Sequence, residues 1–297
     1  MYQGQITVRR AKIYISPTNN STPPHSIIKH FAKAMTEMRR ASLRTATALF
    51  LATIFSYGEA TRFTLVNECK HIIWPGIQPG AGHLLLERGG TCLEPQTAKS
   101  FEAPVGWSGR IWGRSNCSFD EAGNNGGCTT GDCGGSFFCN GMGGVPPATL
   151  IEITLSSSSS CNDSASASTA ACSDFYDVSL VDGFNLPVAI CPAESGTGNC
   201  GLAGCMKDLN ELCPAGLRVE EEGRVVGCKS ACAAFNSPEY CCTGRYGDPH
   251  SCSPNTYSTL FKAACPAAYS YAFDDASSLL TCSAHPHYVI TFCPSDA

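Results

Sequence analysis

The chain has 297 residues, with 25 acidic and 20 basic side chains. Eight of the basic residues but only Glu37 and Glu59 of the acidic ones precede residue 61, so residues 61–297 hold 12 basic and 23 acidic residues and a net charge of −11. That balance excludes nucleic acid and anionic membrane as electrostatic partners. All 20 cysteines lie at or after Cys69, a density that makes physical sense where disulfides persist.

In chain order, residues 1–34 match no structural pattern and read as a mis-assigned start or an unstructured extension. Arg39, Arg40 and Arg44 then flank the uncharged run Ala46 to Phe55, which is too short to span a bilayer. Gly58-Glu59-Ala60 places small residues at a cleavage site. Residues 35–60 therefore read as a secretory signal cut after Ala60. No later apolar run reaches spanning length, so no transmembrane segment is expected. The terminal Cys293-Pro-Ser-Asp-Ala297 carries no hydrophobic tail, which predicts no glycolipid anchor.

Short strands follow. Arg62 to Val66 alternates, as does Thr149 to Leu155, with Ile151, Ile153 and Leu155 on one face and Glu152 on the other. Phe175 to Val181 and Phe184 to Ile190 flank Asp182-Gly183, a hairpin signal. Tyr288 to Phe292 makes a last strand. Ser156 to Ser160 is a low-complexity loop leading to Cys161 and Cys172, a local bridge. Around Cys200 to Cys265 the cysteines crowd together, and one helix is predicted with Ser253 as N-cap and Pro254 in its first turn. Strands punctuated by Gly and Pro read as an antiparallel sandwich or barrel.

The densest cluster, Cys128-Thr-Thr-Gly-Asp-Cys133-Gly-Gly-Ser-Phe-Phe-Cys139, admits three readings. A metal site is disfavoured in a chain so rich in cysteine, and no metal is expected. A protease-like nucleophile fails because an oxidised sulfur cannot attack a carbonyl. A disulfide-stapled loop fits best. This run resembles the signature of thaumatin-like proteins, the plant pathogenesis-related group that includes osmotin, except that Asn124 stands where the signature opens with Gly. Further motifs match in order: Thr61 to Cys69, Trp107 to Arg114, Pro146 to Glu152, Asp174 to Pro187, Glu239 to Cys242, Cys265 to Tyr271 and Ile290 to Pro294.

The resemblance implies an all-β, flattened sandwich of about eleven strands with two disulfide-rich lobes. Residues 61–297 would form one thaumatin-like domain: sandwich core about 61–116, 145–205 and 266–297, small lobe about 117–144, disulfide-rich lobe about 206–265. It implies the bridges Cys69–Cys293, Cys117–Cys128, Cys133–Cys139, Cys200–Cys282, Cys205–Cys265, Cys213–Cys228, Cys232–Cys241 and Cys242–Cys252. That leaves Cys92 with Cys191 beside the local Cys161–Cys172 pair.

Arg110, Glu152, Asp177, Asp182 and Asp275 match the cleft set of antifungal members, with Asp274 able to exchange roles with Asp275. Glu152 and Asp177 would be the acid and the base or nucleophile if the groove is catalytic, since glycoside hydrolysis needs one protonated and one ionised carboxyl. Phe184 and Tyr240 are candidate sugar-stacking rings. Asp182 equally suits a turn, His285-Pro-His287 a surface loop, and Glu220-Glu-Glu222 a solvated one. Asn162 and Asn116 open N-glycosylation sequons, the second with Cys117 as its middle residue. The resemblance implies a secreted, monomeric plant defence protein that binds β-1,3-glucan of the fungal cell wall without a cofactor. The alternatives are a weak endo-β-1,3-glucanase and an inhibitor of microbial xylanase-type hydrolases. The lack of a long C-terminal extension predicts the apoplast.

Overall fold

A computed structural model describes residues 60–157, 173–194, 196, 198–283 and 286–295. The signal segment, Asn162 and the Cys161–Cys172 pair lie outside these residues. Among the described residues, no helix is long and apolar enough to cross a membrane.

Thirteen strands are present among the described residues. A five-stranded sheet joins, in order, β3 (Ala98–Ala103), β1 (Thr61–Asn67), β13 (Tyr288–Phe292), β8 (Val188–Pro192) and β9 (Ala203–Cys205). A six-stranded sheet runs β12 (Leu280–Ser283), β7 (Ser173–Ser179), β6 (Leu150–Thr154), β4 (Ser108–Phe119) and β2 (Ile73–Pro79), with β5 (Gly126–Thr130) on the far end of β4. These two sheets hold the eleven strands expected of the sandwich. The remaining pair, β10 (Arg218–Glu221) and β11 (Arg224–Cys228), is a separate hairpin. Glu222 and Gly223 both take positive φ at its turn, so Glu220-Glu-Glu222 is exposed as expected but forms a strand end and a tight turn in place of a loop.

Alternation explains the sandwich. Ile77, Ile111, Ile151 and Val178 point inward from the six-stranded sheet. Phe63, Leu65, Val188, Ile190 and Ile290 meet them from the other, and all are buried in one apolar cluster. Every second residue of each strand must then face away from that core. The parallel pairing of β1 with β13 brings the first and last strands side by side, with Cys69 bonded to Cys293 just beyond them.

Three local expectations are corrected. Asp182-Gly183 does not close a hairpin: β7 belongs to the six-stranded sheet, whereas β8 crosses to the other and pairs with β13 and β9. The turn instead redirects the chain between sheets, with the Gly183 N–H donating to Leu180 O at 2.9 Å. The long helix spans Thr256–Ala264 and is capped by Asn255, not Ser253; the Asn255 carboxamide accepts the Tyr257 and Ser258 N–H groups, and Ser258 Oγ accepts the Asn255 N–H. Cys92 and Cys191 are free thiols. Cys92 sits in the segment before β3, near Glu94 and Arg114, while Cys191 lies on β8 near Tyr176.

Among the described residues the other α-helices are α1 (Ala231–Phe235), α2 (Pro238–Cys241) and α4 (Asp275–Ser278); the Thr256–Ala264 helix is α3. The hairpin, α1, α2 and α3 are cross-linked by Cys213–Cys228, Cys232–Cys241, Cys242–Cys252 and Cys205–Cys265. Cys200–Cys282, Cys117–Cys128 and Cys133–Cys139 complete the bridges among the described residues.

Candidate functional site

The outer face of the six-stranded sheet carries a row set by strand register. Gln78 on β2 lies opposite Arg110 on β4, Arg110 opposite Glu152 on β6, and Glu152 opposite Asp177 on β7. Each occupies the strand position that alternates with a core aliphatic, so burying the core forces the polar side chains onto one surface. Arg110 Nε pairs with Glu152 Oε1 at 2.7 Å. Gln78, Arg110 and Glu152, with Ser108 and Thr154, line a cavity of about 400 Å3.

The row continues past β7. The Tyr269 N–H donates to Val178 O, and the Leu180 N–H to Tyr269 O, each at 2.8 Å, which seats this segment along the β7 edge. The Tyr269 hydroxyl donates to Asp275 Oδ1 at 2.8 Å. Burial, the Asp275 bond and the charges of Asp177, Asp275 and Glu152 all push the Tyr269 phenol up, so it stays a donor. Asp274 turns away from the groove. It pairs with Lys262 Nζ at 2.9 Å and accepts the Ser270 N–H and hydroxyl. Of the two neighbours, Asp275 is therefore the groove residue.

Asp177 is the unusual group. It is 8% exposed, and its Oδ1 has no hydrogen-bond partner. Burial, then the nearby Glu152 charge and to a smaller degree Asp275, push its carboxyl up to about 8 against the pull of Arg110. The groove thus sets a neutral carboxyl, able to donate, beside a carboxylate ion-paired with Arg110. That combination can hold hydroxyl-rich ligands through both donor and acceptor contacts.

The other sequence candidates fall elsewhere. Asp182 lies in the turn before Gly183, and among the described residues no hydrogen bond or ion pair ties its carboxylate to the row. Phe184 is fully buried and bridges to Cys228, so it cannot stack on a sugar. Tyr240 packs with Phe235 and Tyr257 in the cross-linked region instead of beside Glu152. His287 Nδ1 accepts the Arg62 N–H at 3.0 Å, a loop contact. Asn116 has positive φ and donates to Thr129 Oγ1 at 2.9 Å, next to the bridged Cys117.

In the Cys128–Cys139 loop, Asp132 accepts the N–H groups of Cys128, Gly134 and Gly135, and all three cysteines are oxidised. The loop is a staple. Gln78 and Tyr269 escaped the sequence reading. Gln78 is visible only through register, and Tyr269 only because an irregular segment pairs with β7.

An eleven-stranded sandwich carrying a stapled Cys128–Cys139 loop, a cross-linked helical region and a carboxylate groove defines a thaumatin-like fold. The family model described as the Thaumatin family matches residues 67–294, and the chain belongs to that family. A "Thaumatin-like protein" of Arabidopsis thaliana is 54% identical over 81% of this chain and 93% of its own length. "Pathogenesis-related thaumatin-like protein 3.5" of Cryptomeria japonica is 51% identical over 86% of this chain and 100% of its own. "Pathogenesis-related protein 5" of Arabidopsis thaliana is 48% identical over 86% of this chain and 100% of its own.

Proposed function

We propose that this is a secreted plant defence protein that binds β-1,3-glucan of fungal cell walls in the acidic groove and so restrains fungal growth. The observation that carries the reading is the cross-strand row itself, with neutral Asp177 beside the Arg110–Glu152 pair. Sugar hydroxyls donate to the carboxylate and accept from the neutral acid and from Arg110. Its pathogenesis-related relatives support the defence role. Sixteen cysteines in bridges support folding in an oxidising compartment. Residues 35–60 would direct export to the apoplast as a cleaved signal, and intact mass of the secreted species checks this: retention of Met1 to His30 overturns it.

The same pair favours a second reading, because a protonated acid beside an ionised one is the equipment of a glycosidase. One experiment separates the two. Laminarin is incubated with wild-type protein and with Glu152→Gln, and both glucan retention and reducing ends are measured. Binding without sugar release, weakened in Glu152→Gln, supports recognition alone. Release that Glu152→Gln abolishes establishes a glucanase. Neither binding nor release refutes the groove as a glucan site.

A further inference from the structure

A hollow of about 820 Å3, twice the size of the cavity under the acidic row, opens at the other end of β2. Trp74 of β2, Asn116 and Thr129 of the β4–β5 end, Asn210, and Arg224 of the β10–β11 hairpin are among its walls. None of Gln78, Arg110, Glu152 and Asp177 lines it. Trp74 stands four residues before Gln78, about 13 Å along the strand. Between them the Trp112 ring packs on Gly76 and clusters with Cys133 and Cys139, so the stapled loop separates the hollow from the row.

The hairpin wall is fixed at both ends. Cys213–Cys228 anchors its base, and near its turn Glu221 Oε2 accepts Thr129 Oγ1 at 3.0 Å and Asn116 Nδ2 at 3.3 Å. A wall held in this way needs little ordering to receive a ligand. Trp107 and Trp112 are buried, and their indole N–H groups donate to Leu84 O and Gly131 O. Trp74 differs. It is only half-buried, and among the described residues neither its indole N–H nor the exposed Arg224 guanidinium has a protein partner. On the accepting side, Asn210 spends its Nδ2 on Asn185 O at 3.0 Å, while its Oδ1 is buried with no partner. A buried acceptor left unpaired calls for a water or a ligand hydroxyl.

The charges on the lining set the class of ligand. Lys70 and Arg224 are interspersed with Glu94, Asp208, Glu221 and Glu222, so the hollow favours neither a phosphate nor a cation. An aromatic ring surrounded by unspent donors and acceptors fits a neutral polyol. β-Linked glucose and N-acetylglucosamine keep their substituents equatorial, which leaves flat C–H faces to pack on an indole while the hydroxyls both donate and accept. We propose that the Trp74 hollow is a second saccharide site, separate from the acidic row, that holds a β-linked pyranose chain with one sugar ring stacked on Trp74. The site does not depend on the row, and it gives the protein a second hold on a wall polysaccharide.

The burial of Trp107 and Trp112 makes Trp74 the tryptophan that acrylamide reaches, so fluorescence quenching reads the hollow alone. Laminarihexaose and chitohexaose are titrated separately into the wild type and into Glu152→Gln, which disables the row. Protection of Trp74 by either sugar, kept in Glu152→Gln, is the expected result, and the sugar that protects tells glucan from chitin. Calorimetry in the Glu152→Gln background then measures the hollow: Trp74→Ala should weaken binding about tenfold, while Trp74→Phe retains most of it. Arg224→Ala, at an exposed position, should also weaken binding, and it decides if Trp74→Ala melts early. Failure of both sugars to protect Trp74 overturns the proposal, and laminarihexaose binding without protection leaves the groove reading standing. Wild-type affinity in both Trp74→Ala and Arg224→Ala overturns it equally.

Discussion

Asp177 links stability to pH in an unusual direction. Its folded pKa is about 8 and its ordinary value 3.8, so between these limits the unfolded chain gives up a proton that the folded one keeps. Raising pH through that window therefore favours unfolding, and the penalty is complete above pH 8. Asp177→Asn keeps the shape and removes the charge. It should match wild type near pH 4 and exceed it at pH 9 by on the order of a few kcal/mol. Denaturant midpoints of both proteins at the two pH values check this, and a gap independent of pH refutes it.

Arg114 acts in the opposite way, through geometry more than titration. It is fully buried on β4, yet Nε donates to Trp74 O at 2.9 Å, Nη1 to Ser136 O at 2.9 Å and Nη2 to Phe137 O at 2.6 Å. One guanidinium thus holds the stapled loop against β2. Arg114→Lys cannot satisfy three divergent carbonyls and should cost ~3 kcal/mol or more, read as a lowered denaturant midpoint. Nothing local in Trp107 to Arg114 marks it as buried, because its partners are backbone carbonyls from two distant segments. Glu152 was legible, since alternation with Ile151 and Ile153 fixes its face, and Arg110 only through the family resemblance. That Arg110 and Glu152 pair depends on register, which no single strand encodes.

Among elements, the half-buried strands were the legible ones. β1 and β6 alternate because one face is core and the other is not, whereas β7 stays buried from Tyr176 through Ser179. What failed were signals whose meaning depends on a remote partner. Asp182-Gly183 has hairpin chemistry, but the strand after it is claimed by β13, whose Ile290 and Phe292 pair with Ile190 and Val188 across the other sheet. Gly183 is still obligatory for a reason outside its own segment. Its φ is +93°, and a Cβ there would meet Cys228 O at 2.7 Å, so Ala would strain both the turn and the contact with β11. The α3 cap was misread by two residues because Ser253 and Asn255 are both good caps by type, and only the bonds decide. Asn255→Ala should therefore cost ~1 kcal/mol, whereas Ser253→Ala should be close to neutral, by paired thermal melts. Equal losses from the two would move the helix start back to Ser253.

For the whole molecule, the bridges do different amounts of work according to the loops they close. The eight pairings implied by the resemblance are formed, while Cys92 and Cys191, the pair left over, stay reduced. Both free thiols have pKa values raised chiefly by burial, so alkylation should be slow in the native state and should label both once the unreduced protein is denatured. Cys69–Cys293 spans 224 residues and Cys133–Cys139 only 6. Loop-closure entropy then assigns about 5 kcal/mol to the first and about 2 kcal/mol to the second. The long bridge also sits just past the parallel β1–β13 pair, whose closure joins the two ends of the domain and carries Phe63, Leu65 and Ile290 into the core. Cys69→Ser with Cys293→Ser should accordingly lose more than twice the stability lost by Cys133→Ser with Cys139→Ser, measured as denaturant midpoints under non-reducing conditions. The reverse order would mean that the stapled loop, through its contacts with Arg114, and not the joining of the termini, limits how the sandwich holds together.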